Sequence, residues 1–205
     1  MLRELTLFGE VDKVQIAVER LRTLEPPEGY YLAFSGGKDS QTVYHLALMA
    51  GVKFDAHYNL TTADPPELVY FIREHYPEVE VHRPTETMWQ LIERKMFPPT
   101  RLIRYCCQEL KEGGGSGRVV LTGVRWAESV RRSKRRMTET CYADSSKIFV
   151  HPIIDWEDED VWEFIRSVAQ IPYCELYDQG FTRLGCVGCP MSTRQEQEFE
   201  RWPKI

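Results

Sequence analysis

The sequence predicts an α/β fold, a doubly wound parallel sheet with flanking helices and a cysteine-bearing C-terminal elaboration. Three observations predict it. Strand-like apolar runs at 30–34, 52–59 and 78–82 each precede a stretch with helical apolar spacing, at 39–50, 66–76 and 87–95. The first strand meets its helix at a glycine-rich junction, Ser35-Gly36-Gly37-Lys38-Asp39-Ser40, where α/β proteins commonly hold phosphate. The 205 residues, 42% hydrophobic and 28% charged, suit one domain with a sizeable core and argue against disorder.

In chain order, Val14, Ile16, Ala17, Leu21 and Leu24 fit one face of a leading helix that Pro26-Pro27 ends. Residues 30–34 are the first strand, and 39–50 the helix after the junction, stopped by Gly51. Val52 to Asn59 reads as the second strand, and Pro65-Pro66-Glu67 opens a helix to about Tyr76. Between them, Thr61-Thr62-Ala63-Asp64 leaves a strand C-terminus, the edge where parallel sheets bind ligands; a helix cap by Thr62 or Asp64 is the plain alternative. Glu78 to His82 and Thr87 to Lys95, with Met88, Leu91 and Ile92 inward, complete the alternation.

Leu102 to Lys111 is expected to be helical and bears Cys106-Cys107. Gly113-Gly114-Gly115-Ser116-Gly117 has flexible-linker composition and no phosphate-binding spacing. Arg118 to Val124 is a strand leading into Gly123-Val124-Arg125-Trp126-Ala127-Glu128-Ser129. This puts Arg125 and Glu128 at the ligand edge, where a guanidinium clamps phosphate or sulfate; a surface ion pair is the alternative. Ile148 to Ile154 is the last strand, followed by a helix over 157–169 with an acidic first turn. No internal repeat appears. The expected organisation is a single domain over 1–205, with a nucleotide-binding core at 29–154 and a C-terminal helical segment at 155–205.

The junction carries the chemistry. Two glycines let the backbone approach a ligand, the helix start supplies unpaired N–H groups, and Lys38 adds a mobile charge. The spacing is neither the Walker pattern nor the dinucleotide fingerprint. A net charge of -5 is unlike a general polyanion binder, yet Arg131, Arg132, Lys134, Arg135 and Arg136 form a local basic run suited to phosphate, sulfate or nucleic acid. No apolar run reaches membrane-spanning length and Met1 to Glu10 lacks a signal pattern, so no membrane association and a cytoplasmic location are expected. Six cysteines in a reducing compartment point to metal or redox chemistry rather than disulfides.

Ser35 to Ser40 resembles the PP-loop of the adenine-nucleotide alpha hydrolase superfamily. Together with Cys106-Cys107 followed by Lys111, Gly123-x-Arg125 with Glu128-Ser129, and the block His151 to Pro190, the chain over about 29–192 resembles the phosphoadenosine phosphosulfate (PAPS) reductase family. The resemblance implies an adenine-nucleotide alpha hydrolase-like sheet, and a [4Fe-4S] cluster held by Cys106, Cys107, Cys186 and Cys189. The residue chemistry alone accepts iron–sulfur or zinc, although adjacent cysteines are unlike structural zinc spacing. Cys141 and Cys174 are expected to be small buried residues.

Two departures from the family's reductases direct the functional expectation. No Glu-Cys-Gly-hydrophobic-His segment follows Pro190, and the PP-loop is intact where reductases tend to have a degraded one. Both point to an ATP-pyrophosphatase branch, similar to DNA phosphorothioation and tRNA thiolation enzymes. ATP with Mg²⁺ is then the expected substrate. Ser35, Gly36, Gly37 and Ser40 cradle pyrophosphate, Lys38 neutralises it, Asp39 orients Mg²⁺ or caps the helix, and Thr62, Gly123, Arg125 and Glu128 line the site. The implied partners are a nucleic-acid or small-molecule sulfur acceptor and a sulfur-donor protein, with oligomers allowed. The alternatives are a PAPS or adenylyl-sulfate reductase using thioredoxin-like reductants, and a non-catalytic nucleotide-binding Fe-S subunit.

Overall fold

The computed structural model describes residues 1–6 and 9–205. Its elements are β1 (Arg3–Thr6), β2 (Gly9–Asp12), α1 (Lys13–Thr23), β3 (Tyr30–Ala33), α2 (Lys38–Ala50), β4 (Phe54–Asn59), α3 (Pro66–His75) and β5 (Glu80–His82). There follow α4 (Met88–Lys95), α5 (Tyr105–Leu110), β6 (Val119–Leu121), β7 (Thr138–Thr140), β8 (Ile148–Val150), α6 (Asp158–Glu163) and α7 (Gln195–Arg201). Among the described residues no helix is long and apolar enough to cross a membrane.

Residues 1–57 and 115–173 form one compact unit. Its sheet runs β4-β3-β6-β8-β7. β3 pairs in parallel with β4 and β6, and β6 with β8, whereas β7 runs antiparallel at the edge. The sheet is therefore mostly parallel rather than wholly so. From β3 the chain steps first to β4 on one side and later to β6 on the other. The C-terminal end of β3 thus stands at the switch point of strand order, where open α/β sheets leave a crevice.

The elements follow from their residues. Asp12 caps α1 by accepting from the Val14 and Gln15 amides, and Ala17, Val18 and Leu21 face inward. Nine of the thirteen residues of α2 are buried, which makes it the unit's central helix, and Gly51 closes it in the left-handed conformation at φ 70°. Each fully buried leucine here, such as Leu21, Leu32, Leu46 and Leu121, contributes on the order of 1.5–3 kcal/mol. The strand expected over 148–154 stops at Val150, because Pro152 lacks the amide a ladder needs and the chain turns with Ile154 N–H on the His151 carbonyl. The strand expected over 118–124 is confined to Val119–Leu121. α6 continues as a π-helical turn over Phe164–Val168, so the helix expected over 157–169 is present with a changed pitch. In the glycine-rich stretch, Gly115 has φ 77° and approaches so closely that a Cβ would lie 2.7 Å from the Val120 side chain.

Residues 58–114 and 174–205 form the second unit. Leu60 N–H donates to the His82 carbonyl at 3.0 Å, holding β5 against the end of β4. A capping box between Thr87 and Gln90 starts α4. The helix expected over 102–111 is shorter, since Thr100 and Ile103 close a turn upon each other and helix begins at Tyr105. Ala63, Met88, Leu91, Tyr105, Cys106 and Leu110 form this unit's core cluster. α7 is tied down by Trp202 and Arg201 on Glu67 and by Glu198 accepting from the Gly188 amide. Cys174 is buried, as expected, while Cys141 is only partly so.

Candidate functional site

The Ser35–Ser40 loop leaves β3 at the switch point and opens α2. Gly36 has φ 69°, a backbone state that glycine adopts without strain. The N-cap of α2 is Gly37, which has no side chain with which to cap the helix. A glycine-capped helix start, with its positive dipole end, is chemically suited to an anion. Ser40 braces the loop from within, its hydroxyl donating to the Gly37 carbonyl at 2.9 Å and accepting from the Ser35 amide at 3.2 Å.

Charge is gathered tightly beside it. Lys38 is buried, with Nζ 3.0 Å from Asp158 Oδ1 and 3.7 Å from Asp39 Oδ2. Arg125, also buried, donates Nε to Asp39 Oδ1 at 2.7 Å, Nη2 to Asp158 Oδ1 at 2.9 Å and Nη1 to the Trp156 carbonyl at 3.3 Å. Burial disfavours the Arg125 charge, but Asp39, Asp158 and Glu128 outweigh it and raise the pKa. The Asp158 carboxyl is driven up by burial and down, by more, by Lys38 and Arg125. Gly123 fits against Asp39 so closely that a Cβ would lie 2.8 Å from its backbone and Cβ atoms. Glu128 accepts from the Arg125 amide at 2.9 Å and pairs with Arg132.

Ser35, Gly36, Gly37, Lys38, Asp39, Ser40, Gly123, Arg125 and Glu128 thus belong to one unit, around one loop. Arg125 and Glu128 meet through the Arg125 backbone, not as a side-chain ion pair. Asp158 was not singled out by sequence; its only signal was a place in the acidic first turn of a helix following a sheet strand. Thr62 belongs to the second unit, has φ 64°, and accepts the Met88 amide at 2.8 Å, so it caps the start of α4.

The second unit gathers cysteines from two segments. Cys106, Cys107 and Cys186 share the core cluster, and the Cys189 amide donates to the Cys186 carbonyl at 3.3 Å. Arg104 Nη2 donates to Cys107 Sγ at 3.0 Å and lies in the field of Cys189. Thr61 Oγ1 lies 3.3 Å from Cys186 Sγ. Burial depresses the charge of Lys111, but Cys186 and Asp64 raise its pKa by more. The Cys106 thiol is pushed up to about 11, first by burial and then by Cys107 and Cys186. Arg104 beside Cys107 and Lys111 beside Cys186 put positive charge next to these sulfurs, a setting that favours thiolate.

A match to the phosphoadenosine phosphosulfate reductase domain runs over residues 29–192. A probable FAD synthase of Caenorhabditis briggsae is 29% identical over 190 residues, which cover 89% of this chain and 35% of that protein. An adenosine 5'-phosphosulfate reductase of Oceanobacillus iheyensis is 29% identical over 160 residues, covering 72% and 63%. The chain therefore spans less than two thirds of the length of either relative. A crystal structure of PAPS reductase from Candida auris aligns with TM-score 0.60 at 19% identity, over 83% of this chain and 87% of that one. Candida glabrata FMN adenylyltransferase, in complex with FMN and the ATP analogue AMPCPP, aligns with TM-score 0.61 at 20% identity, over 85% and 61%. These two likenesses show the α/β fold with its mostly parallel sheet. The domain match takes in the loop at 35–40, the arginine at 125 and all four paired cysteines, and the chain belongs to the phosphoadenosine phosphosulfate reductase domain family.

Proposed function

We propose that the chain binds ATP at the Ser35–Ser40 loop and transfers its adenylyl group to an acceptor oxygen, with pyrophosphate released and sulfur chemistry to follow. The observation that carries this reading is the intact loop, which opens α2 through the glycine N-cap Gly37 with Lys38 as the first helical residue. In the step, the acceptor oxygen bonds to the α-phosphorus and the bond from that phosphorus to the bridging oxygen breaks. The electron pair leaves with pyrophosphate. Ser35, Gly36, Gly37 and Ser40 cradle the leaving group, and Lys38 offsets its growing charge. Gly123 lets the segment before Arg125 close on Asp39, and Arg125, with its donors on two carboxylates, acts as a positioning residue.

Hard carboxylate oxygens at Asp39 and Asp158 fit Mg²⁺, which when bound would offset charge on the phosphates. Cys106, Cys107, Cys186 and Cys189 would hold a [4Fe-4S] cluster by the thiolate chemistry of the set, and the cluster would supply redox or sulfide-holding chemistry. The free basic side chains at 131–136 suit a nucleic-acid acceptor. The FAD synthase relative and the adenylyltransferase fold neighbour support adenylyl transfer as the reaction class. The adenosine 5'-phosphosulfate reductase relative favours a second reading, reduction of a sulfonucleotide to sulfite by a thiol reductant.

One experiment separates them. Anaerobic protein is given ATP and Mg²⁺, or PAPS or adenosine phosphosulfate with reduced thioredoxin, while pyrophosphate and sulfite are measured together. Pyrophosphate from ATP, lost in Lys38→Ala, is the expected outcome. Sulfite without pyrophosphate would overturn the proposal in favour of the second reading.

A further inference from the structure

The anion site is closed on itself by a charge that no part of the loop motif supplies. One oxygen, Asp158 Oδ1, takes both Lys38 Nζ at 3.0 Å and Arg125 Nη2 at 2.9 Å. With Asp39 on Arg125 Nε, the two cations already face two carboxylates at contact distance, and Glu128 adds its field at Arg125. Exposure within the set is uneven. The Lys38 and Arg125 side chains are 6% and 2% exposed, while that of Asp158 is 52% exposed. The two cations are buried while the carboxylate bonded to both is half exposed, so an anion that reaches Lys38 must compete with Asp158.

Asp158 is also held where it is. It is the first residue of α6, whose start is fixed by the reciprocal capping of Glu157 and Asp160. Asp160 is itself gripped by Lys13 Nζ at 2.7 Å. A phosphate that takes Lys38 therefore leaves Asp158 beside it, a like charge at close range next to buried cations. A ligand arriving with a divalent cation brings the positive charge that relieves this repulsion. A bare nucleotide anion does not.

We infer that Asp158 is a specificity-determining residue, a built-in counter-charge that admits a metal-bound polyphosphate and rejects metal-free nucleotide anions such as phosphosulfates. Selectivity arises from an unfavourable charge set against the wrong ligand rather than from an added contact to the right one. This inference rests on the adenylylation reading above and names what makes that site choose its substrate.

The test is equilibrium binding by calorimetry, which needs no turnover. Wild type, Asp158→Asn and Asp158→Glu are titrated with AMPCPP plus Mg²⁺, AMPCPP in EDTA, and PAPS, with circular dichroism confirming that each variant is folded. Wild type is expected to bind the magnesium complex at least about tenfold more tightly than either metal-free ligand. Asp158→Asn is expected to shrink that ratio to about threefold or less by tightening the metal-free ligands, and Asp158→Glu to restore it. An unchanged ratio in Asp158→Asn, or equal weakening of all three ligands, would overturn the inference and leave the adenylylation reading standing. A wild type that prefers PAPS and ignores AMPCPP would overturn both.

Discussion

Arg125 Nε donates to Asp39 Oδ1 at 2.7 Å, joining two residues 86 positions apart through a guanidinium that is only 2% exposed. The same guanidinium reaches Asp158 and the Trp156 carbonyl, so it holds the loop, the segment after β6 and the start of α6 together. Removing it leaves two carboxylates next to Lys38 with half their compensation. Arg125→Ala is expected to cost about 1.5–3 kcal/mol in denaturant unfolding, the range for hydrogen bonds to charged groups, because Asp39 and Asp158 are part-exposed and keep Lys38 beside them. Arg125→Lys keeps the charge but cannot span three acceptors, so it should recover less than half of that loss. A loss below about 1 kcal/mol in Arg125→Ala would mean the brace is dispensable.

Gly123 offers a sharper probe of the same corner. A Cβ there would meet the Asp39 carbonyl carbon, carbonyl oxygen and Cβ, each at 2.8 Å, and two of those atoms are backbone that cannot swing aside. Gly123→Ala should push the loop off its geometry and weaken AMPCPP binding by about tenfold or more, with a stability loss of about 1–3 kcal/mol. Unaltered affinity would show that Asp39 tolerates displacement.

The cysteine assignments separate by metal content. Cys106→Ser, Cys107→Ser, Cys186→Ser and Cys189→Ser should each lower iron and acid-labile sulfide bound after anaerobic reconstitution, while Cys174→Ser, buried near Glu67 and Arg201, should leave both unchanged. Ligation requires thiolates, and the Cys106 thiol is pushed up to about 11 by burial and then by Cys107. Loading should therefore release protons and weaken as pH falls. Zinc in place of iron, or equal loss in Cys174→Ser, would refute the assignment.

The alternation of strands and helices was legible because each element carries its own signal, apolar periodicity ended by Pro26 or Gly51 or opened by Pro65. The loop at 35–40 was legible because spacing alone defines it. Other features depend on partners distant in sequence. Thr138–Thr140 is too short and polar to announce a strand, and it becomes one only against β8. The role of Asp158 depends on Lys38, 120 residues earlier, and of the two expectations for Thr62, ligand edge or helix cap, its hydroxyl serves a cap, at the Met88 amide of α4. Arg125 was visible as a residue, but its three acceptors were not.

The basic run divides into structural and free cations. Arg132 pairs with Glu128, and Arg135 with Glu139 at 2.7 Å while its carbonyl accepts the Trp126 indole N–H. Arg131, Lys134 and Arg136 remain exposed, beside a Trp126 that is itself partly exposed. Changing these three to Ala should leave folding and AMPCPP binding intact yet weaken single-stranded nucleic acid, and the log–log salt slope of binding should shrink by about two. An unchanged salt slope would remove this face from acceptor binding.

His151 should set the acid limit of the fold. It is almost fully buried, with Nδ1 2.6 Å from Thr122 Oγ1 and Nε2 3.6 Å from Glu139 Oε1. Burial lowers its pKa from 6.5 to about 4, with Glu139 opposing and Arg135 assisting. The unfolded chain therefore binds a proton between those values that the folded protein refuses, so this contribution to stability is present above pH 6.5 and is lost as pH falls toward 4. Between pH 7 and pH 5 the loss amounts to about 2 kcal/mol. His151→Gln should be less stable at pH 7, because the Thr122 contact is remade imperfectly, but its unfolding midpoint should change less between pH 7 and pH 5 than that of wild type. Parallel pH profiles for the two proteins would place the acid sensitivity elsewhere.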